Sequence, residues 1–161
     1  MIEIIPYESK YQPEFKRLNL EWLDKYHLTE SHDLEILDNP EKNVIGRGGC
    51  IFLAKDGERV VGTAGIAKLN DEVFELVKMA VEPAYQGRGI SKTLLELCLA
   101  EARKGGGKKI SLFSNSQLTT ALSLYRKYGF RHVDVTDSPL LTADVKMELD
   151  LTTNFSMAMP Q

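Results

Sequence analysis

Val77-Lys78-Met79-Ala80-Val81-Glu82-Pro83-Ala84-Tyr85-Gln86-Gly87-Arg88-Gly89-Ile90-Ser91 reads as a strand, a short glycine-containing loop and the start of a helix. A helix N-terminus leaves backbone N–H groups unpaired and carries partial positive charge. Glycines let the backbone approach a ligand closely. Together they form a cradle for an anion, most often a phosphate, and Arg88 and Lys92 add positive charge beside it. Two other phosphate loops fail on their residues. The dinucleotide fingerprint needs a third glycine where Lys92 stands, and the P-loop needs a Gly-Lys-Ser/Thr string that is missing. The plainer reading is a glycine turn that caps a helix and holds nothing.

Upstream, Glu3-Ile4-Ile5-Pro6 reads as a short strand, and Phe15, Leu18, Trp22 and Tyr26 recur at helical spacing, predicting an amphipathic helix over 11–26. A weaker helix runs through Asp33–Asp38 until Asn39-Pro40 stops it. Gly46–Gly49 reads as a flexible loop. Asp56-Gly57 is a hairpin signal between apolar runs at 50–54 and 60–67. With 73–81 these predict a three-stranded antiparallel meander. Downstream, Ile90, Leu94, Leu95, Cys98 and Ala102 mark a helix ended by Gly105-Gly106-Gly107. A buried strand at 110–113, a helix carrying Leu118 to Tyr128, and strands at 130–135 and 145–149 follow. The order predicts a mixed sheet with helices on its faces.

The 161 residues set a prior of one domain, placed at 1–150, with a tail at 151–161. No run of about 18 apolar residues occurs, so no membrane span is expected. The N-terminus lacks a basic stretch before an apolar core, so no signal peptide is expected. Cys50 and Cys98 suggest no disulfide framework, which fits a cytoplasmic protein. The three histidines show no metal-ligand spacing, so no metal is expected. A net charge of −3 argues against a nucleic-acid partner. That value hides seven carboxylates against one cation over 20–41, and nine cations against two carboxylates over 86–131. Two solvated surfaces, or one end for cations and one for anions, both fit that division.

Gln86-Gly87-Arg88-Gly89-Ile90-Ser91 resembles the acetyl-coenzyme A loop of the GCN5-related N-acetyltransferase (GNAT) superfamily, patterned Q/R-x-x-G-x-G/A; Ser91 departs from Gly or Ala but is small. Asn115 after the strand ending at Phe113, and the string Leu124-Tyr125-Arg126-Lys127-Tyr128-Gly129-Phe130, resemble later family features in the same order. The resemblance covers about residues 2–150. It implies an α/β (α+β) GNAT fold: a mixed, mostly antiparallel sheet of about seven strands, splayed in the middle by a bulge, with about four helices. It also implies a soluble acyltransferase that uses acetyl-coenzyme A as cosubstrate, needs no metal, and takes a small-molecule or peptide amine as partner. Homodimers are frequent in similar proteins.

By the same resemblance, the cofactor's pantetheine arm lies along Met79, Ala80 and Val81 and its pyrophosphate on the N–H groups of Gln86, Gly87, Arg88, Gly89, Ile90 and Ser91. Asn115 and Lys127 are further cofactor contacts. The reaction is direct attack of a neutral amine on the thioester. Glu75 is the candidate base; in an ideal strand it shares a face with Val77, Met79 and Val81, a parity that a bulge disturbs. The plainer reading is a solvated glutamate. A water chain to Glu21 or Glu72 is a substitute base. Tyr125 is the candidate acid for the leaving thiolate and a cofactor contact; the plainer reading places it in the core. Glu21, Trp22 and Tyr26 are candidate acceptor-binding residues, within an acidic rim that favours a cationic amine. The reading of another class is a coenzyme A-binding regulatory or interaction module that has lost catalysis.

Overall fold

A computed structural model describes residues 1–136, 138 and 140–152. The elements are β1 (Ile2–Pro6), α1 (Gln12–Lys25), α2 (Ser31–Asp38), α3 (Pro40–Asn43), β2 (Cys50–Asp56), β3 (Arg59–Lys68), β4 (Val73–Val81), α4 (Ile90–Lys104), β5 (Lys109–Ser114), α5 (Thr119–Lys127), β6 (Arg131–Val133) and β7 (Val145–Asp150). The seven strands form one sheet in the order β1-β2-β3-β4-β5-β7-β6, flanked by the five helices. All neighbours are antiparallel except β4 and β5. This is the mixed sheet the sequence predicts, with one helix more than expected. Pro40 ends α2 but also starts α3, whose backbone N–H at Lys42 is capped by the Asn39 side chain. The last strand pair is shorter than the sequence suggests, since β6 covers only 131–133. Of the expected tail, 153–161 lie outside the described residues.

Each face of the sheet carries its own core. On one, α4 lays Leu94, Leu95, Cys98, Leu99 and Ala102, all fully buried, against Val61, Ile66, Leu76 and Met147. Burying each such leucine stabilises the fold by roughly 1.5–3 kcal/mol. On the other face, Phe15 and Leu18 of α1 and Ile36 and Leu37 of α2 pack on Ile51, Leu53 and Ala80. Gly49, in the expected flexible loop, is held tightly: a Cβ there would lie 2.2 Å from the Ile66 carbonyl oxygen.

Two irregularities in β4 place the site. Its pairing with β3 jumps from Gly65↔Val77 to Thr63↔Ala80, so two residues, Lys78 and Met79, oppose Ala64 alone. This is a β-bulge, and Lys78 within it takes left-handed backbone (φ 53°). The second is a splay: β4 pairs with β5 only through Val73, Phe74 and Glu75. Beyond them β5 keeps its partner β7 while β4 keeps β3, and a gap opens between the two.

The bulge also reverses side-chain parity. Before it, Phe74 and Leu76 face the α4 core; after it, Val81 does, while Ala80 packs with α1 and α2. Glu75 therefore does not share a face with Val81, as a regular strand would arrange. It lies on the α1/α2 side, with Ala80.

Candidate active site

Two cavities flank the splay. The larger, about 410 Å³, runs from the glycine loop and the α4 N-terminus to α5. The smaller, about 130 Å³, lies between α1, α2, β4 and β5, with Leu140, Thr142 and Ala143 along one side. Trp22, Met79, Leu118 and Tyr125 line both, so the cavities meet at those four side chains.

The larger cavity fits a phosphorylated ligand on its own geometry. Glu82, with its side chain 12% exposed, ion-pairs with Arg17 at 3.4 Å and with Arg59, and so fixes where the chain leaves β4. A short 3-10 turn at Pro83–Tyr85 follows. Gly87 and Gly89 then adopt left-handed backbone (φ 81° and 79°), and a Cβ on either would meet nothing within 4 Å. No side chain caps α4. Thr93 is the first helical residue whose N–H reaches a loop carbonyl, that of Gly89 at 3.0 Å. Among the described residues, the N–H groups from Gly87 to Lys92 have no backbone acceptor, an open nest for an anion. The Gln86 N–H is taken by the Pro83 carbonyl at 3.3 Å, and its side chain donates to the Val81 carbonyl at 3.2 Å. Gln86 thus braces the loop.

Of the nine cations in the basic stretch, Lys92 and Lys127 line this cavity, joined by Lys25 of α1. Arg88 does not; its guanidinium stacks on Tyr85, 4.9 Å from the ring centroid. The Tyr85 hydroxyl in turn donates to Asp56 at 2.7 Å. Met79, Ala80, Val81, Ile90, Ser91 and Tyr26 all line the cavity. Tyr26 stacks edge-on against Trp22 with centroids 5.2 Å apart.

The smaller cavity holds Glu75, whose carboxyl has neither a hydrogen bond nor an ion pair among the described residues. Burial pushes its pKa up, against the opposing pull of Lys78 and Lys146. A carboxyl in that condition is a stronger proton acceptor than an exposed one. Across the cavity Lys78 forms an ion pair with Asp33, their side chains 9% and 2% exposed. This pair carries no sequence signal, because it needs the bulge to aim a strand lysine at α2.

Tyr125 is 6% exposed and packs against Phe130 with centroids 5.8 Å apart. Its hydroxyl has no hydrogen-bond partner among the described residues and is not enclosed, so it opens where the cavities meet. Burial, with Cys98 nearby, raises its pKa and keeps the phenol protonated. The neighbouring Tyr128 hydroxyl is committed to Glu96 of α4 at 2.7 Å.

Other sequence candidates fall elsewhere. The Asn115 amide lines the smaller cavity rather than the larger, donating to the Thr142 carbonyl at 2.8 Å and accepting from the Gln117 N–H at 3.0 Å. Glu21 lines neither cavity and is paired with Arg17 at 3.1 Å. Glu72 pairs with Lys108 at 2.8 Å, also away from both. Most of the acidic stretch has structural work. Glu30 accepts from the N–H groups of Leu141 and Thr142 at 2.9 and 2.8 Å, Asp38 binds Lys16 at 2.5 Å, and Asp24 accepts from Thr29. The expected acidic acceptor rim is thus reduced to Asp33, which shares the smaller cavity with Glu75.

Comparison with known proteins agrees with this architecture. The chain is 31% identical over 106 residues to the uncharacterized N-acetyltransferase YvbK of Bacillus subtilis (strain 168), covering 63% of this chain and 68% of that protein. It spans less than two thirds of the length of several other relatives. The acetyltransferase of GNAT family from Staphylococcus aureus Mu50 superposes with a TM-score of 0.86 at 26% identity, over 94% of this chain and 99% of that one. The fold also matches yncA from Salmonella typhimurium, solved with its cofactor acetyl-CoA, with a TM-score of 0.73 at 20% identity over 100% and 98% of the two chains. The family model described as Acetyltransferase (GNAT) family matches residues 11–130, and the chain belongs to that family.

Proposed function

We propose that the protein transfers an acetyl group from acetyl-coenzyme A to a primary amine, with the cofactor in the larger cavity and the amine in the smaller. The observation that carries this reading is the meeting of the two cavities at Tyr125 and Met79, beside a half-buried Glu75 that has no ion-pair partner among the described residues. The bound thioester supplies an acyl carbon already activated toward attack. The nest from Gly87 to Lys92, with Lys92 and Lys127, binds the cofactor phosphates. Met79 and Ala80, freed from β5 by the splay, offer backbone groups to the pantetheine arm as a neighbouring strand would. Glu75 takes the proton that the ammonium must lose, since an amine with a pKa near 10 is almost wholly protonated at neutral pH. Tyr125 holds its proton at the junction and gives it to the departing thiolate, and the second proton shed by the nitrogen as the amide forms restores the phenol. Direct transfer needs no nucleophilic side chain, and Cys98, fully buried in the α4 core, is not placed to serve as one.

An assay of thiol release from acetyl-coenzyme A across a panel of amines tests the reading, repeated with Glu75→Gln and Tyr125→Phe. Loss of turnover in both, with cofactor binding retained, is expected. Unchanged rates in both variants would sink the assignment.

A further inference from the structure

Resting on the reading that the smaller cavity takes the amine, we infer that Lys78 restricts the acceptor to a compact molecule with one ammonium and an apolar body. The cavity contains two carboxylates, Glu75 and Asp33. Asp33 is already consumed: one oxygen accepts from Lys78 Nζ and the other from the Glu30 N–H at 2.9 Å. Among the described residues that line the cavity, only the Glu75 carboxylate is open to a cation. Much of the remaining wall is apolar, with Trp22, Leu23, Leu28, Ile36, Val77 and Phe113 all contributing.

An ammonium moved from water into such a space costs several kcal/mol unless a carboxylate meets it. One ammonium meets Glu75. A second, on a diamine, polyamine or aminoglycoside, would meet the Lys78 cation where its partner ought to be. Lys78 therefore stands where a second substrate ammonium would bind. Its placement follows from the bulge, whose left-handed backbone at Lys78 (φ 53°) turns the side chain toward α2. The same backbone irregularity that goes with the cofactor gap thus sets the charge of the acceptor pocket.

The test compares kcat/KM for isoamylamine and 2-phenylethylamine with that for putrescine, spermidine and an alanine-terminated peptide. The monoamines are expected to lead by at least tenfold. Lys78→Met bares Asp33, and the monoamine-to-putrescine ratio should fall at least tenfold. The Asp33→Asn, Lys78→Met double variant removes both charges, avoids a stranded buried carboxylate, and should keep the original ratio. Faster turnover of putrescine, spermidine or the peptide by the unaltered protein would overturn the inference and leave acetyl transfer standing. A double variant that accepts putrescine as readily as isoamylamine would overturn it as well. No thiol release with any amine would remove both readings.

Discussion

Glu75 and Ala80 project from the same face of β4 although an odd number of positions separates them. A regular strand puts residues five apart on opposite faces. The extra residue at the Lys78–Met79 bulge restores the match. The proposed base and the backbone beside the cofactor gap thereby face α1 and α2 together.

Glu75→Gln should lower kcat/KM for the amine by about 10²–10⁴-fold, the usual range for a lost general base. The unaltered rate should climb with pH until Glu75 is ionised. Stability should move the other way. Burial raises the folded-state pKa of Glu75, so its contribution is fully present below the unfolded value and is lost as pH rises through the folded one. The Gln variant should therefore melt higher than the parent at pH 8, with the gap closing in acid. Thermal melts at several pH values check the sign.

Tyr125→Phe should reduce kcat by about 10²-fold or more while leaving the acetyl-coenzyme A dissociation constant nearly unchanged. The ring still fills its place beside Phe130, and the hydroxyl satisfies no partner among the described residues. Because burial holds the phenol pKa above its ordinary value, the alkaline limb of the parent's pH–rate profile should not begin near 10. Stopped-flow thiol release and calorimetry with coenzyme A measure both halves.

Gly89→Ala should destabilise the fold by about 1–2 kcal/mol, the cost of a side chain in left-handed backbone, and weaken acetyl-coenzyme A binding by up to the equivalent, roughly 5–30-fold, where the loop relaxes to escape that cost. No atom of the described residues lies within 4 Å of the added methyl, so any further loss would come from its contact with the bound anion. Arg88→Ala should weaken binding less than Lys92→Ala, since Arg88 stacks on Tyr85 outside the cavity.

Glu30→Gln should loosen the segment at 140–143 that lines one side of the smaller cavity. Burial pushes the Glu30 carboxyl up, but hydrogen bonds from Thr142 and Leu141 outweigh it and hold the pKa below the ordinary value. The stabilisation is present above the unfolded pKa and is lost as pH falls through the folded one. Losing these charge-assisted bonds should cost about 1–3 kcal/mol and raise KM for the amine more than KM for the cofactor. Denaturant melts and steady-state kinetics separate the two effects.

The helices and strands were legible wherever a pattern is local. The α4 stripe from Ile90 to Ala102, the Asp56-Gly57 hairpin and the glycine loop follow from 3.6- and 2-residue periods and from turn chemistry. Charge pattern was a poorer guide. Seven acidic residues over 20–41 suggested a cation-binding rim, but only Asp33 of that stretch lines the smaller cavity. A carboxylate's fate depends on which donors the fold brings near it: Arg17 reaches Glu21 from one turn back on the same helix, but Lys16 and the N–H groups of 141–142 come to Asp38 and Glu30 from elsewhere in the chain.

The sequence by itself determined the order of the elements and the anion nest at Gly87–Lys92, because both depend on residues adjacent in the chain. Tertiary structure alone decided the parity of β4, the pairing of Lys78 with Asp33 and the meeting of two cavities at Tyr125. Each depends on where a distant strand or helix lies: β3 on the register that leaves one residue over, α2 on the carboxylate that draws Lys78 inward, and β5 on the point where it leaves β4 for β7 alone.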